Sequence, residues 1–306
     1  MIARFFLAAA LCTSVPSFAA EANRFAATMV PAERFDVGAT LVERHGDQGA
    51  PLILIPGLAS GAWAFQDTIR RFGKEHTMYV LTLPGFDGRP AVAGKGMAAA
   101  QESVRELIET RKLKNPVLIG HSLGATMSLA LAAAHPALVR GVVAIDGLPV
   151  LPGTENWPAE QRKQMVAMIN SQKPALTAAA FAAQQQQYMR GTGTLDMARA
   201  DELAKLSGKS DAAAVTRYMA DGVGVDLRSV LPSIKAPVLV IAPFSPVDAA
   251  QQPMDEAGKA AYYKSLMQGT PDVTVKMVSP ARHFAMFDQP QMVGDAIGAY
   301  LKALPQ

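Results

Sequence analysis

Cysteine is almost missing from this chain: Cys12 is the only one in 306 residues, and it sits within the first nineteen. A disulfide framework, a thiol nucleophile and a cysteine-ligated metal are thereby excluded. Charge is scarce too, at 18% of residues, and neither sign prevails: the formal net charge is +3, or +2 without Arg4. With 7% aromatics and no basic run interleaved with them, the sequence lacks the footprint of a nucleic-acid binder. Past the N-terminus no apolar run approaches the ~20 residues that cross a bilayer, so no stable membrane insertion is expected. His, Asp and Glu do not cluster at metal-ligand spacing, and the Gly94–Gly96 stretch has neither a strand before it nor the spacing of a dinucleotide fingerprint. No metal and no cofactor are expected. Internal repeats are absent, Gln184–Gln187 is too short a run to imply disorder, and oligomeric state has no signature.

What is present is apolar substance. Half of the residues are hydrophobic, enough for one domain with an insertion and a large core. The N-terminus has its own character: Arg4, then apolar Phe5–Leu11, then Ser17-Phe18-Ala19 with the small residues of a signal-peptidase site. Residues 1–19 are therefore expected to be a signal peptide, giving a periplasmic or secreted protein. Ala9-Ala10-Leu11 before Cys12 does not match a lipoprotein processing site.

Short apolar runs alternate with helical patterns, the signature of an α/β domain with a mostly parallel sheet flanked by helices. After an antiparallel start around Arg34–Arg44, strands are predicted at Leu52–Ile55, Met78–Leu83, Pro116–Ile119, Gly141–Ile145, Val238–Ala242 and Val273–Val278. Helices are predicted at Ala62–Phe72, Met97–Lys112, Leu123–Ala134, Glu256–Gln268 and Pro290–Leu304. One connection is far too long for a plain crossover, about ninety residues between the strands ending at Ile145 and starting at Val238. Met165, Met168 and Ile169 recur there at helical spacing, as do Val215, Tyr218 and Met219. The expected organisation is a core of residues 20–148 and 237–306 with a helical cap, 149–236, inserted after the sixth strand. Met168 and Met219 are expected to line an apolar pocket under that cap, since flexible methionines suit an adaptable wall.

The chemistry concentrates at Gly120-His121-Ser122-Leu123-Gly124, which follows the apolar Pro116–Ile119 and opens an alanine-rich helix. A strand-to-helix turn this sharp needs residues that tolerate unusual dihedrals and leave room for backbone, and it lifts the serine hydroxyl above the sheet. Serine is a weak nucleophile unless a base takes its proton. Of the five histidines, His45, His76 and His135 fall at element ends and His121 is inside the turn. His283 follows the last predicted strand and so reaches the sheet edge from which Ser122 emerges.

These motifs, taken in order over nearly the whole chain after the leader, resemble the cap-bearing members of the α/β-hydrolase superfamily. The resemblance rests on Ile55-Pro56-Gly57-Leu58, Leu83-Pro84-Gly85-Phe86, Gly120–Gly124, the long insertion, and His283-Phe284 before Asp288-Gln289-Pro290. It implies a serine hydrolase with Ser122 as nucleophile, His283 as base, and the backbone N–H groups of Leu58 and Leu123 as the oxyanion hole. Pro56 stands where members often carry histidine, a change that leaves a backbone role intact. The acid is open between two residues. Members usually place it shortly after the seventh strand, where Asp248 stands late behind two prolines, and some use the end of the sixth, where Asp146 stands. Asp146 is preferred because a strand end holds a carboxylate more rigidly.

The resulting expectation is an exported serine hydrolase acting on a small or medium ester-like substrate through an acyl-enzyme. Two alternatives share the residues: the same groups cleaving a carbon–carbon bond or acting as an aminopeptidase, or a non-catalytic ligand-binding relative. An anion clamp in the cap would favour the first alternative, with Arg190, Arg199 and Arg217 as its candidates.

Overall fold

The antiparallel start is a hairpin of β1 (Glu33–Val37) and β2 (Thr40–His45), paired with Phe35 opposite Val42. Behind it come β3 (Leu52–Ile55), β4 (Met78–Thr82), β5 (Val117–His121), β6 (Gly141–Ile145) and β7 (Val238–Pro243), each buried along its whole length. Strands covered on both faces read as continuous Val/Ile/Leu runs. The edge strand β8 (Val273–Val278) instead alternates half-buried and exposed positions before ending on buried Val278. A computed structural model describes residues 29–94, 96–171, 176–250 and 254–305; the expected leader, 1–19, lies outside them.

These strands form an eight-stranded sheet in the order β1-β2-β4-β3-β5-β6-β7-β8, parallel from β4 through β8. The chain steps from β3 to β4 in one direction and then crosses to β5 on the other side. That reversal opens a crevice at the carboxyl ends of the strands.

Because side chains alternate across a strand, the sheet splits the core in two. Ile53, Ile55, Leu118 and Val142 face one layer with α2 (Met97–Thr110) and α3 (Leu123–Ala134). Leu52, Leu54, Ile119 and Val143 face the other, with α1 (Gln66–Phe72) and the C-terminal helix Pro290–Ala303. The helix predicted over Ala62–Phe72 is split, a tight 3₁₀ turn at Ala62–Phe65 preceding α1.

Between β6 and β7 run α4 (Ala159–Ser171), α5 (Ala178–Tyr188), α6 (Met197–Ser207) and α7 (Ala212–Gly224). Thr177, Asp196 and Asp211 cap the last three, each side chain accepting first-turn N–H bonds. Tyr218 of α7 anchors the insertion by packing on Phe86, ring centroids 4.8 Å apart. Arg162 is the only buried residue of α4; its guanidinium donates to Thr154, the Val223 carbonyl and Asp226. After β7 come α8 (Pro246–Ala249) and α9 (Glu256–Leu266); α10 (Ala285–Asp288) and α11 (Pro290–Ala303) follow β8.

Candidate active site

Ser122 is wedged between the end of β5 and the start of α3 at φ 52, ψ −120. A non-glycine residue held there stores roughly 1–3 kcal/mol of strain, so its surroundings must enforce it. Its N–H donates to the Ile145 carbonyl at 2.9 Å, and its own carbonyl accepts from Ala125 and Thr126. Both flanking glycines are obligatory. A methyl on Gly120 would lie 2.3 Å from the Gly124 carbonyl oxygen, and one on Gly124 would lie 2.1 Å from that of Ile55.

Asp146 directly follows β6, with φ 45, and donates its N–H to the Ile241 carbonyl at 2.9 Å. One of its carboxylate oxygens lies 2.5 Å from Nδ1 of His283. The other accepts the hydroxyl of Tyr263 from α9. Burial pushes the Asp146 carboxyl up, but the His283 charge, the His283 and Tyr263 hydrogen bonds and the Lys259 charge outweigh it, leaving it below the usual range. The carboxylate is thus held ionised against the imidazole.

His283 is fixed from both backbone sides. Its N–H donates to the Thr192 carbonyl at 3.2 Å, and its carbonyl accepts from His121 Nε2 at 3.1 Å. Burial, with the His283 charge second, drives the His121 imidazole down to about 3, so it stays neutral with its proton on Nε2. Asp288 closes the same loop, accepting from the Arg282 and Leu195 N–H groups.

Asp248, the alternative acid, is not against His283. Arg282 takes both of its oxygens, Nε at 2.8 Å and Nη2 at 2.6 Å, and a planar guanidinium so engaged leaves no geometry for a histidine. Arg282 also donates to the carbonyls of Arg190 and Thr194, so this ion pair ties the His283 loop to the insertion. The expectation for Asp248 is corrected accordingly: it steadies a loop.

Ser122, Asp146 and His283 share one cavity of about 880 Å³ at the carboxyl edge of the sheet, with Leu58, Leu123 and Met219 in its wall. Leu123 is the first residue of α3, where a helix leaves its N–H groups without intrahelical partners. The neighbour of Leu58 is close as well: a methyl on Gly57 would lie 3.1 Å from Ser122 Cβ. Met168 is not in the wall, which corrects that expectation. It is 47% exposed, because α4 buries only Arg162 and turns this residue to solvent.

The proposed arginine clamp is elsewhere too. Arg190 pairs with Asp201 at 2.6 Å and Arg199 donates to the Phe287 carbonyl, and neither they nor Arg217 line the cavity. The cations that do are Arg282, engaged with Asp248, and Lys259. Tyr263, His121 and Lys259 are absent from the sequence-based set. Tyr263 alone had a signal, since a tyrosine at a buried helix position requires a partner for its hydroxyl. Among the described residues, no group of His, Cys, Asp and Glu could hold a metal, and no helix is long and apolar enough to cross a membrane.

A parallel sheet that presents a serine on a left-handed turn, with a histidine–carboxylate pair from later strand ends, defines the α/β-hydrolase class. The family model described as "Alpha/beta hydrolase family" matches residues 52–296, and the chain belongs to that family. It is similar to the 2-(acetamidomethylene)succinate hydrolase of Mesorhizobium japonicum, 31% identical over 121 residues, 39% of this chain and 43% of that enzyme. A pimeloyl-acyl-carrier-protein methyl ester esterase of Yersinia enterocolitica is 24% identical over 113 residues, 37% of this chain and 42% of that enzyme. Both matches span less than half of those relatives. Among solved structures, the enol-lactonase of Burkholderia xenovorans superposes with a TM-score of 0.67 at 16% identity, covering 88% of this chain and all of that one.

Proposed function

We propose that the protein is an exported serine hydrolase that cleaves a small or medium ester-like substrate through an acyl-enzyme. The observation that carries this reading is the 2.5 Å contact between His283 Nδ1 and Asp146, in the cavity that Ser122 lines. With Nδ1 donating to Asp146, the other ring nitrogen is the one able to take a proton.

In the proposed cycle Ser122 Oγ attacks the acyl carbon while its proton passes to His283 Nε2. The Leu58 and Leu123 N–H groups receive the developing oxyanion, the interaction expected to lower the barrier most. The imidazolium then gives its proton to the leaving oxygen or nitrogen, freeing the first product. Water attacks the acyl group with His283 as base, and the acid departs with Ser122 restored. Asp146 stabilises the imidazolium throughout. The names of the two curated relatives, a 2-(acetamidomethylene)succinate hydrolase and a methyl ester esterase, agree with a hydrolytic reaction. The carbon–carbon and aminopeptidase alternatives lose the cap clamp that would have favoured them, because Arg190, Arg199 and Arg217 do not line the cavity. A non-catalytic role has less support, with a carboxylate seated against His283.

Turnover of short-chain nitrophenyl esters tests the reading: Ser122→Ala and His283→Ala should each lose about 10⁴-fold or more in rate. Unaltered turnover in either would remove the mechanism. Export rests on Arg4, Phe5–Leu11 and Ser17–Ala19. N-terminal sequencing of the exported protein should start near Ala20 or Glu21, and retention of residues 1–19 would contradict it.

A further inference from the structure

The cavity wall carries one cation that makes no direct ion pair with a carboxylate among the described residues. Of its charged side chains, Asp146 is occupied by His283 and Tyr263, and Asp248 and Arg282 satisfy each other. Lys259 of α9 remains. Its Nζ stands 5.8 Å from the Tyr263 ring centroid, and none of the ion pairs among the described residues includes it. The two acids placed to neutralise it along the helix do not do so. Asp255 spends its carboxylate on capping α9 through the Gly258 N–H at 2.7 Å, and Asp255 and Glu256 are both exposed while Lys259 is half-buried. The adjoining undescribed residues, Gln251, Gln252 and Pro253, contain no acid.

Helix stability does not explain the residue, since a cation near a helix N-terminus opposes the helix dipole. Nor does packing alone, which an apolar side chain of similar length would supply to the tyrosines beside it. What the position does provide is a lysine in the same cavity wall as Ser122 and His283. Its charge helps to hold the carboxyls of both Asp146 and Asp248, which share the same wall, below their usual range. Tyr263, over whose ring it stands, is buried, and a charge against buried surface makes a stronger charge-assisted hydrogen bond to an anion than one in open water.

We propose that Lys259 is the receptor for an anionic substrate group, so that this hydrolase prefers esters or amides bearing a second, free carboxylate. The inference rests on the hydrolase reading above and adds its substrate class. Substrate would lie with its scissile carbonyl at Ser122 and its carboxylate on the Lys259 ammonium alone, since the Tyr262 and Tyr263 hydroxyls are already given to Glu155 and Asp146. Selectivity would then come from the main domain and not from cap arginines.

Monoethyl glutarate and adipate, compared with neutral ethyl pentanoate and hexanoate, test this when hydrolysis is followed by proton release. The full chain should favour the half-esters in kcat/KM by about 10- to 100-fold, the range of one hydrogen bond to a charged group. In Lys259→Met that ratio should collapse toward one through KM, and Lys259→Arg should restore part of it. A ratio near one in the unaltered protein overturns the proposal. So does a ratio that survives Lys259→Met while kcat falls for both series, which would make Lys259 only a countercharge for Asp146. Hydrolysis of the neutral esters with no half-ester preference defeats this inference and leaves the hydrolase reading standing; no hydrolysis of either series defeats both.

Discussion

Tyr263 donates its hydroxyl to the very carboxylate of Asp146 that His283 approaches, one oxygen for each partner. The acid is therefore held from two sides, by a loop after β8 and by a helix after β7.

Removing that hydroxyl separates positioning from packing. Tyr263→Phe keeps the ring but leaves a buried carboxylate oxygen without its donor, which costs about tenfold or more if the hydrogen bond to the charged form matters. We expect kcat to fall with KM little changed, and the acid limb of the pH–rate profile to move to higher pH, because the ionised form of Asp146 has lost a stabilising bond. An unchanged kcat and an unmoved profile would reduce Tyr263 to packing.

The two candidate acids should part company under amide substitution. Asp146→Asn should lose on the order of 10⁴-fold in kcat with the fold intact. Asp248→Asn removes the partner of Arg282, at a stability cost on the order of 1 kcal/mol for a part-exposed pair, with the chemistry far less affected. Nitrophenyl ester kinetics and thermal melts on both variants decide it, and a crippled Asp248→Asn beside an active Asp146→Asn would reverse the assignment.

A pH effect is expected at a carboxyl outside the cavity wall. Burial pushes the Asp87 carboxyl up from 3.8 to about 6, and the crowding is physical: a methyl on Gly61 would lie 2.5 Å from one of its oxygens. A group whose folded value is raised lends stability below its unfolded value and loses it as pH rises through the folded one. Asp87→Asn, neutral at every pH, should melt like the unaltered protein near pH 4, gain on it up to about pH 6 and hold a constant lead above. A lead that shrinks with rising pH would show the sign to be wrong.

The sequence was most legible where function and chain order coincide. Ser122 and His283 could be read because each motif sits directly after its own strand, so the sheet's parallel order brings both to one edge. The sheet itself followed from buried runs such as Leu52–Ile55, which have few other structural uses. Asp146 against Asp248 could not be settled that way, since the answer lies in which carboxylate Arg282 claims, a contact 34 residues long in sequence. Lys259 was invisible for the same reason, and for Tyr263 the sequence called for a hydroxyl partner without saying which. Helical spacing placed Met168 and Met219 on apolar faces, but α4 buries only Arg162 and leaves Met168 in solvent, and of the two only Met219 lines the cavity.

That difference is itself measurable. Met219→Ala should shift acyl-chain preference by about 10- to 200-fold in relative kcat/KM, the scale of one or two lost methylene contacts. Met168→Ala, at a solvent-facing site, should leave both the chain-length series and the melting point nearly unmoved. Equal effects of the two substitutions would contradict the cavity wall described above.

The central claim is that Ser122 is a nucleophile activated by His283 and Asp146. A fluorophosphonate probe tests it directly, because the probe bonds only to a serine whose proton is taken during attack. Intact mass after incubation should rise by one adduct, mapped by peptide fragmentation to Ser122, and the adduct should disappear in Ser122→Ala and fall sharply in His283→Ala. An unlabelled protein, or an adduct on another residue, would contradict the account.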